Sequence, residues 1–319
     1  MSVQAAKKIS GNTSTRSSID TLLKNVDAFL FDCDGVIWKG NDLIPGAISS
    51  IEWLEKQNKK IYFVTNNSAK SRSGYLKKFT ELGMNVKSNQ IFSTAYASAQ
   101  YLHINDFQKT GKSVYVISHG DGIGEELDLV NISHHGGVKD ANKTIDINNV
   151  VRVNHDENVG AVIVGTDMNF NYYKLQYAQL CVNNNPDCMF IATNRDAASH
   201  ASSDDQLYAA AGAMVGAVAG CTTDTKPNGP DIMCGKPSKF LVDLILRDSG
   251  LDDRSRICMV GDRLDTDIAF GNTHGLSSLL VYSGVTTPEM AECAMNGDDN
   301  IRKPQYVLQS IQDLISNME

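Results

Sequence analysis

The stretch "FLFDCDGVIWKG", residues 29–40, sets two aspartates two positions apart where an apolar run meets glycine. Burying carboxylates costs free energy unless a cation or strong donors compensate them. Asp-Gly also favours a turn by itself. The fragment alone therefore reads equally well as a strand ending in an acidic turn and as a site that holds a positive charge. Its surroundings decide.

Apolar and amphipathic segments alternate on both sides of it. "DAFLFD" reads as a strand, "PGAISSIEWLEKQ" as a helix, "KIYFVTNN" as a strand and "SRSGYLKKFTELG" as a helix ending on glycine. The alternation returns downstream in "KPSKFLVDLILRDSG", "RICMVGD", "DTDIAFGNTHG" and "SSLLVYSG". Such a pattern predicts an α/β fold, a mostly parallel sheet with helices on both faces. A second alternating set, "SVYVI", "GAVIVGTD", "NYYKLQYAQLCVNN" and "CMFIATN", lies between the two blocks. We expect a catalytic core from residues 21–107 and 207–319, an inserted α/β domain over 108–206, and a disordered polar tail over 1–20. "TTDTKPNGPD", residues 222–231, reads as an exposed loop.

Composition narrows the function classes. A formal net charge of −8 gives no bulk attraction to nucleic acid or anionic membranes. No apolar run approaches the roughly 20 residues that cross a bilayer. The seven cysteines are scattered without CxxC pairs, which points to reduced thiols and a cytoplasmic protein. Cys33, between two negative charges, reads as a small buried filler rather than a nucleophile. The opening "MSVQAAKKISGNTSTRSS" is acid-free but lacks the apolar core of a secretory signal.

Four strand ends then line up. They carry Asp32 and Asp34, Thr65 and Asn66 in "FVTNNSAKSR", Lys236 in "CGKPSKF", and Asp262 and Asp267 in "MVGDRLDTD". In an open α/β sheet ligands gather outside the carboxyl ends of the strands, so these polar groups are expected to share one crevice. Carboxylates, a lysine and a hydroxyl together suit Mg²⁺ with a phosphate. Taken singly, each has a plainer reading: a turn, a solvated charge, or an acid favoured by a helix start.

"DCDGV", "VTNNS", "GKPS" and "GDRLDTD", in this order, resemble the haloacid dehalogenase (HAD) superfamily phosphatases with a large C2-type cap. This group includes phosphoglycolate, 4-nitrophenyl and pyridoxal phosphate phosphatases. The resemblance implies a Rossmann-like core with an inserted cap and an Mg²⁺-dependent phosphomonoesterase working through an aspartyl-phosphate. It makes Asp32 the nucleophile and Asp34 the acid and base. Thr65, Asn66 and Asn67 would bind the phosphoryl group, and Lys236 would neutralise charge. Asp32, the Asp34 carbonyl and Asp262 would hold the metal, with Asp267 behind them. The expected substrate is a small phosphorylated metabolite, first 2-phosphoglycolate, with 4-nitrophenyl phosphate also turned over and pyridoxal phosphate as the alternative. A catalytically silent regulatory protein is the rival of another class. A homodimer through the cap is implied by the same analogy.

Within the insert, "NRDAASHASSDDQ", residues 194–206, is expected to read the leaving group through Arg195 and His200. "HGDGIGEEL", residues 119–127, reads as a strand-to-helix turn rather than a phosphate loop. His134 and His135 read as surface histidines, and Tyr173 and Tyr177 as helix packing.

Overall fold

Phe29, Leu30 and Phe31 have no exposed surface, so the strand they form needs cover on both faces. The computed structural model describes residues 12–146, 152–200 and 206–315, with the backbone alone for 12–16 and His200. The chain runs through helix α1 (Asn12–Asn25), strand β1 (Ala28–Phe31), a short hairpin of β2 (Trp38–Lys39) and β3 (Asp42–Leu43), and α2 (Ala47–Lys56). It continues through β4 (Lys60–Thr65), α3 (Arg72–Glu81), β5 (Ile91–Ser93) and α4 (Thr94–Ile104). A second unit follows with β6 (Ser113–Ile117), α5 (Gly122–Leu129), β7 (His134–Gly136), β8 (Val159–Val164), α6 (Tyr172–Asn184) and β9 (Met189–Ala192). Next come the hairpin β10 (Ala198–His200) and β11 (Leu207–Ala209), α7 (Ala211–Gly220) and β12 (Ile232–Met233). The return supplies α8 (Lys239–Ser249), β13 (Ile257–Gly261), α9 (Ala269–Thr273), β14 (Ser277–Val281), α10 (Pro288–Asn296) and β15 (Tyr306–Leu308).

The core sheet has the order β15-β14-β13-β1-β4-β5 and is parallel throughout. Alternate side chains of β1 feed two apolar layers: Phe29 and Phe31 pack with Phe63 and Val260, while Ala28 and Leu30 pack with Val64 and Met259. Chain order reverses between β1 and β13, which opens the crevice at their carboxyl ends. The second sheet, β12-β9-β8-β6-β7, is also parallel. Fold class is as expected: a Rossmann-like core with an inserted α/β cap.

Two boundaries differ from the sequence reading. Residues 12–20 of the expected tail are helical, because Ile19, Leu22 and Val26, spaced along one helical face, are buried in the layer under Phe29 and Phe31. Residues 1–11 lie outside the described part. The cap sheet takes its edge strand from Ile232–Met233, paired with β9, and Val215 and Val218 of α7 are buried in the cluster that β8 and α6 form. The cap's elements thus run on past residue 206, where its end was expected. His134 and His135 form β7 and are half-buried, bonded to Asp128 and to the Tyr177 hydroxyl, not surface groups as expected.

Candidate active site

Each functional strand end is shaped by its neighbour. The Asp32 amide donates to Val260 O at 2.9 Å, which carries the β1–β13 pairing one residue past the strand and brings Asp32 beside Asp262. Gly35 turns the chain at φ +82°, and a Cβ there would stand 2.5 Å from Asp262 Oδ2. Only glycine combines that backbone with that approach. Asp34 is half-buried, and its Oδ1 accepts from Trp38 Nε1 at 2.8 Å. The indole itself is buried against Tyr75 and Phe79, with Lys78 Nζ 4.0 Å above its ring.

Lys236 is the electrostatic centre of the crevice. Its Nζ is 2.8 Å from Asp32 Oδ1, 2.8 Å from Asp267 Oδ1, and donates to Val64 O at 2.8 Å. Burial opposes its charge, but Asp267 and Asp32 outweigh that and hold Lys236 above the ordinary lysine value. Asp32, Asp262 and Asp267 are buried, with one carboxylate oxygen of each within 4.8 Å of the others. Burial pushes all three upward. Repulsion from Asp32 and Asp267 adds to it at Asp262, and Asp267 reaches about 6. One lysine does not balance three crowded carboxylates.

The carboxylate oxygens divide by use. Asp267 places Oδ1 on Lys236 and accepts the Arg263 amide on Oδ2 at 3.1 Å. A turn of π-helix, Leu264–Ile268, carries it there. Asp262 accepts the Val285 amide on Oδ2 at 2.6 Å, while its Oδ1 is buried with no hydrogen-bond partner among the described residues. An orphaned buried carboxylate oxygen is costly, and beside Asp32 it fits a hard, oxygen-preferring cation such as Mg²⁺.

Thr65 ends β4, and its Oγ1 accepts the Asn67 amide at 3.1 Å. Asn66 is a junction. Its Oδ1 accepts the Lys236 amide at 2.8 Å, and its Nδ2 reaches Asp196 of the cap at 3.1 Å. Its side chain is therefore consumed by the scaffold, leaving the backbone N–H for a substrate. Asn67 is exposed at the cavity wall, its Oδ1 holding the Ala69 amide at 2.8 Å.

These groups line one cavity of about 240 Å³ between core and cap. Asp32, Asp34, Thr65, Asn66, Asn67, Lys236 and Asp262 all face it. Arg195 does not: it is exposed in a separate apolar groove beside Gly212 and Pro230. The His200 side chain lies outside the described residues. Several lining residues were missed, among them Lys39, His119, Asp196 and Arg263. Asp196 adjoins Arg195, and the turn that sends one outward sends the other in. Arg263, inside "GDRLDTD", donates from Nη1 to Ala198 O of the cap at 2.9 Å and pairs with Asp265. The "HGDGIGEEL" segment is the β6–α5 turn, and its Gly122 amide donates to Ala69 O at 3.2 Å.

A carboxylate-and-lysine crevice at the switch point of a capped parallel sheet has counterparts among known proteins. Residues 29–133 match the haloacid dehalogenase-like hydrolase family, and residues 233–314 match a second HAD-hydrolase-like model. The chain is 45% identical over 304 residues to phosphoglycolate phosphatase 1A, chloroplastic, of Arabidopsis thaliana, covering 95% of this chain and 80% of that one. It is 36% identical over 290 residues to the 4-nitrophenylphosphatase of Schizosaccharomyces pombe, covering 89% and 91%. The p-nitrophenyl phosphatase from Archaeoglobus fulgidus superposes with a TM-score of 0.71 at 26% identity, covering 91% of this chain and 98% of that one. Fold and relatives define a hydrolase of the phosphomonoesterase class. The chain belongs to the haloacid dehalogenase superfamily, among its phosphatases with a large α/β cap.

Proposed function

We propose that this protein is an Mg²⁺-dependent phosphatase of small phosphorylated metabolites, with 2-phosphoglycolate as its first substrate. The observation that carries the metal-dependent chemistry is the partnerless Asp262 Oδ1 next to the Asp32–Lys236 pair. Asp32, the Asp34 carbonyl and Asp262 would hold the ion, which when bound neutralises phosphoryl oxygens and keeps the carboxylates ionised. An Asp32 oxygen attacks phosphorus, forming the aspartyl-phosphate as the ester oxygen departs. Asp34, steadied by Trp38, gives that oxygen its proton. It then takes a proton from the water that splits the acyl phosphate. Lys236 holds its charge against the nucleophile throughout, and Thr65 with the backbone after it steadies the phosphoryl oxygens.

Wall chemistry favours a small leaving group. Among the described residues lining the cavity there is no Phe, Tyr or Trp, which leaves the His119 imidazole as the one aromatic ring available to a pyridoxal group. The test is turnover of 4-nitrophenyl phosphate with Mg²⁺ and with EDTA, in the native chain and in Asp32→Asn, followed by a phosphometabolite panel ranked by kcat/KM. Metal-dependent turnover lost in the variant supports the reading. A folded native protein without turnover favours a silent regulatory protein instead.

A homodimer through the cap completes the proposal. Leu207 is 50% exposed on β11, and Gly212, Ala213 and Gly216 of α7 line an apolar groove. Light scattering that returns a monomer at micromolar concentration overturns it. All seven cysteines are free, which suits a reducing, cytoplasmic setting. Recovery of the tagged full chain in an organelle fraction overturns that.

A further inference from the structure

The phosphate end of the cavity is furnished by Lys236, Thr65 and the carboxylate cluster; of the other basic groups that line it, Lys78 and Arg263 are engaged and Lys70 is exposed, which leaves Lys39 and His119. Lys39 ends β2 and is half-buried, and it has no hydrogen-bond or ion-pair partner among the described residues. Even Asp42, its register partner across the hairpin, makes no ion pair with it. His119 comes from the other side, at the end of the cap strand β6. Its amide donates to Thr166 O at 3.1 Å, and its ring Nδ1 lies 2.7 Å from the same carbonyl. A carbonyl can only accept, so Nδ1 carries a proton, and Nε2, the free polar atom of the ring, donates to an anion when the ring is the imidazolium with a proton on each nitrogen. Nε2 has no partner among the described residues.

We propose that Lys39 from the core and His119 from the cap together bind a carboxylate on the leaving group, so that the enzyme selects phosphate esters of short hydroxy acids. This rests on the phosphatase reading above and adds the residues that set its preference. A half-buried ammonium without a counter-charge is favoured only when an anion joins it, and the phosphoryl group is already answered elsewhere. The acids within reach are committed: Asp34 accepts from Trp38, and Asp196 accepts from Asn66. The two readers sit on different units, one on the β2–β3 hairpin and one on the cap, so a carboxylate between them would bridge the halves of the site. A neutral polyol would meet the same walls without the charge. An aromatic alcohol would meet Met168, which is 56% exposed at the cavity, as the large apolar contact on the cap side.

The experiment compares kcat/KM for 2-phosphoglycolate, glycerol 3-phosphate and 4-nitrophenyl phosphate in the native enzyme, Lys39→Met, His119→Gln and the double variant, with melting curves to confirm folding. Losing a charge-assisted hydrogen bond to the carboxylate should lower the preference for 2-phosphoglycolate over glycerol 3-phosphate by about tenfold or more in each single variant, mainly through KM. The double variant should lose less than the product of the two, since both hold one group. Equal losses on all three substrates, or an unchanged preference, overturn the assignment while leaving the phosphatase reading intact. A folded native enzyme inactive on all three takes both down.

Discussion

Lys236 and Asp267 form a 2.8 Å ion pair from which solvent is excluded, and the same ammonium lies 2.8 Å from Asp32. Asp267 thus fixes where positive charge sits relative to the proposed nucleophile, although it does not itself face the cavity.

Replacing Asp267 by asparagine keeps the shape and removes the counter-charge. Lys236 keeps Asp32 and Val64 O as partners. The chain should fold, with kcat lowered by roughly 10–100-fold, the range typical of a group that orients another. Steady-state kinetics with a folding control measures this. A loss below twofold removes Asp267 from the machinery.

Asp34→Asn separates the two halves of the reaction. Loss of a positioned acid and base costs typically ~10²–10⁴-fold. 4-Nitrophenolate leaves without needing a proton, whereas glycolate does not. Rapid mixing of the variant with 4-nitrophenyl phosphate should therefore show a burst of one product per site followed by slow turnover. A linear trace with no burst contradicts the assignment of Asp34 to both steps.

Metal binding and pH should be coupled. The folded-state values of Asp32, Asp262 and Asp267 are raised by burial, that of Asp267 to about 6 from an ordinary 3.8. A raised carboxyl means the metal-free fold binds more protons than the unfolded chain. Its stability is therefore greatest below pH 3.8 as far as these groups are concerned, and falls as pH rises through about 6. A Mg²⁺ ion bound among these carboxylates would offset that repulsion. Calorimetry should show a larger Mg²⁺-induced rise in Tm at pH 8 than at pH 5, and an increment independent of pH would contradict the cluster's role.

Core and cap are also joined by an ion pair whose carboxylate is buried. Arg72 Nη2 on α3 is 3.2 Å from Glu126 Oε2 on α5, the Arg72 amide donates to Glu126 Oε1 at 2.6 Å, and Ser71 bonds Glu125 beside them. Glu126 is 1% exposed. Glu126→Ala strands Arg72 against Tyr96, whose ring centroid lies 3.8 Å from its guanidinium carbon, and should cost about 3 kcal/mol. Denaturant unfolding measures it. A change under 0.5 kcal/mol would make the contact incidental.

Legibility followed the physics of each segment. β1, β4 and β13 announce themselves because strands covered on both faces are uninterrupted apolar runs, and the polar residue ending each run is the one that reaches the crevice. Asp32, Thr65 and Asp262 were readable for that reason. Helix α1 was hidden, since its Ile19, Leu22 and Val26 stand among serines and threonines that imitate a tail. β12 was hidden because a two-residue edge strand has no period. Arg195 and Asp196 are adjacent, and only the turn they occupy tells which one looks inward. No sequence signal marked Gly284, whose Cβ would lie 1.8 Å from Asp262 Oδ2, because the approach is made by a loop more than twenty residues downstream.

Asn66 has a further implication. Its single amide group is shared between Lys236 of the returning core segment and Asp196 of the cap, while its carbonyl accepts from Thr94 and Asn194. One side chain thereby couples the loop after β4 to the roof above it. Any swing of the roof must strip Asp196 from that amide, so Asn66 is a gauge of how far the two halves stand apart, readable without a ligand in place.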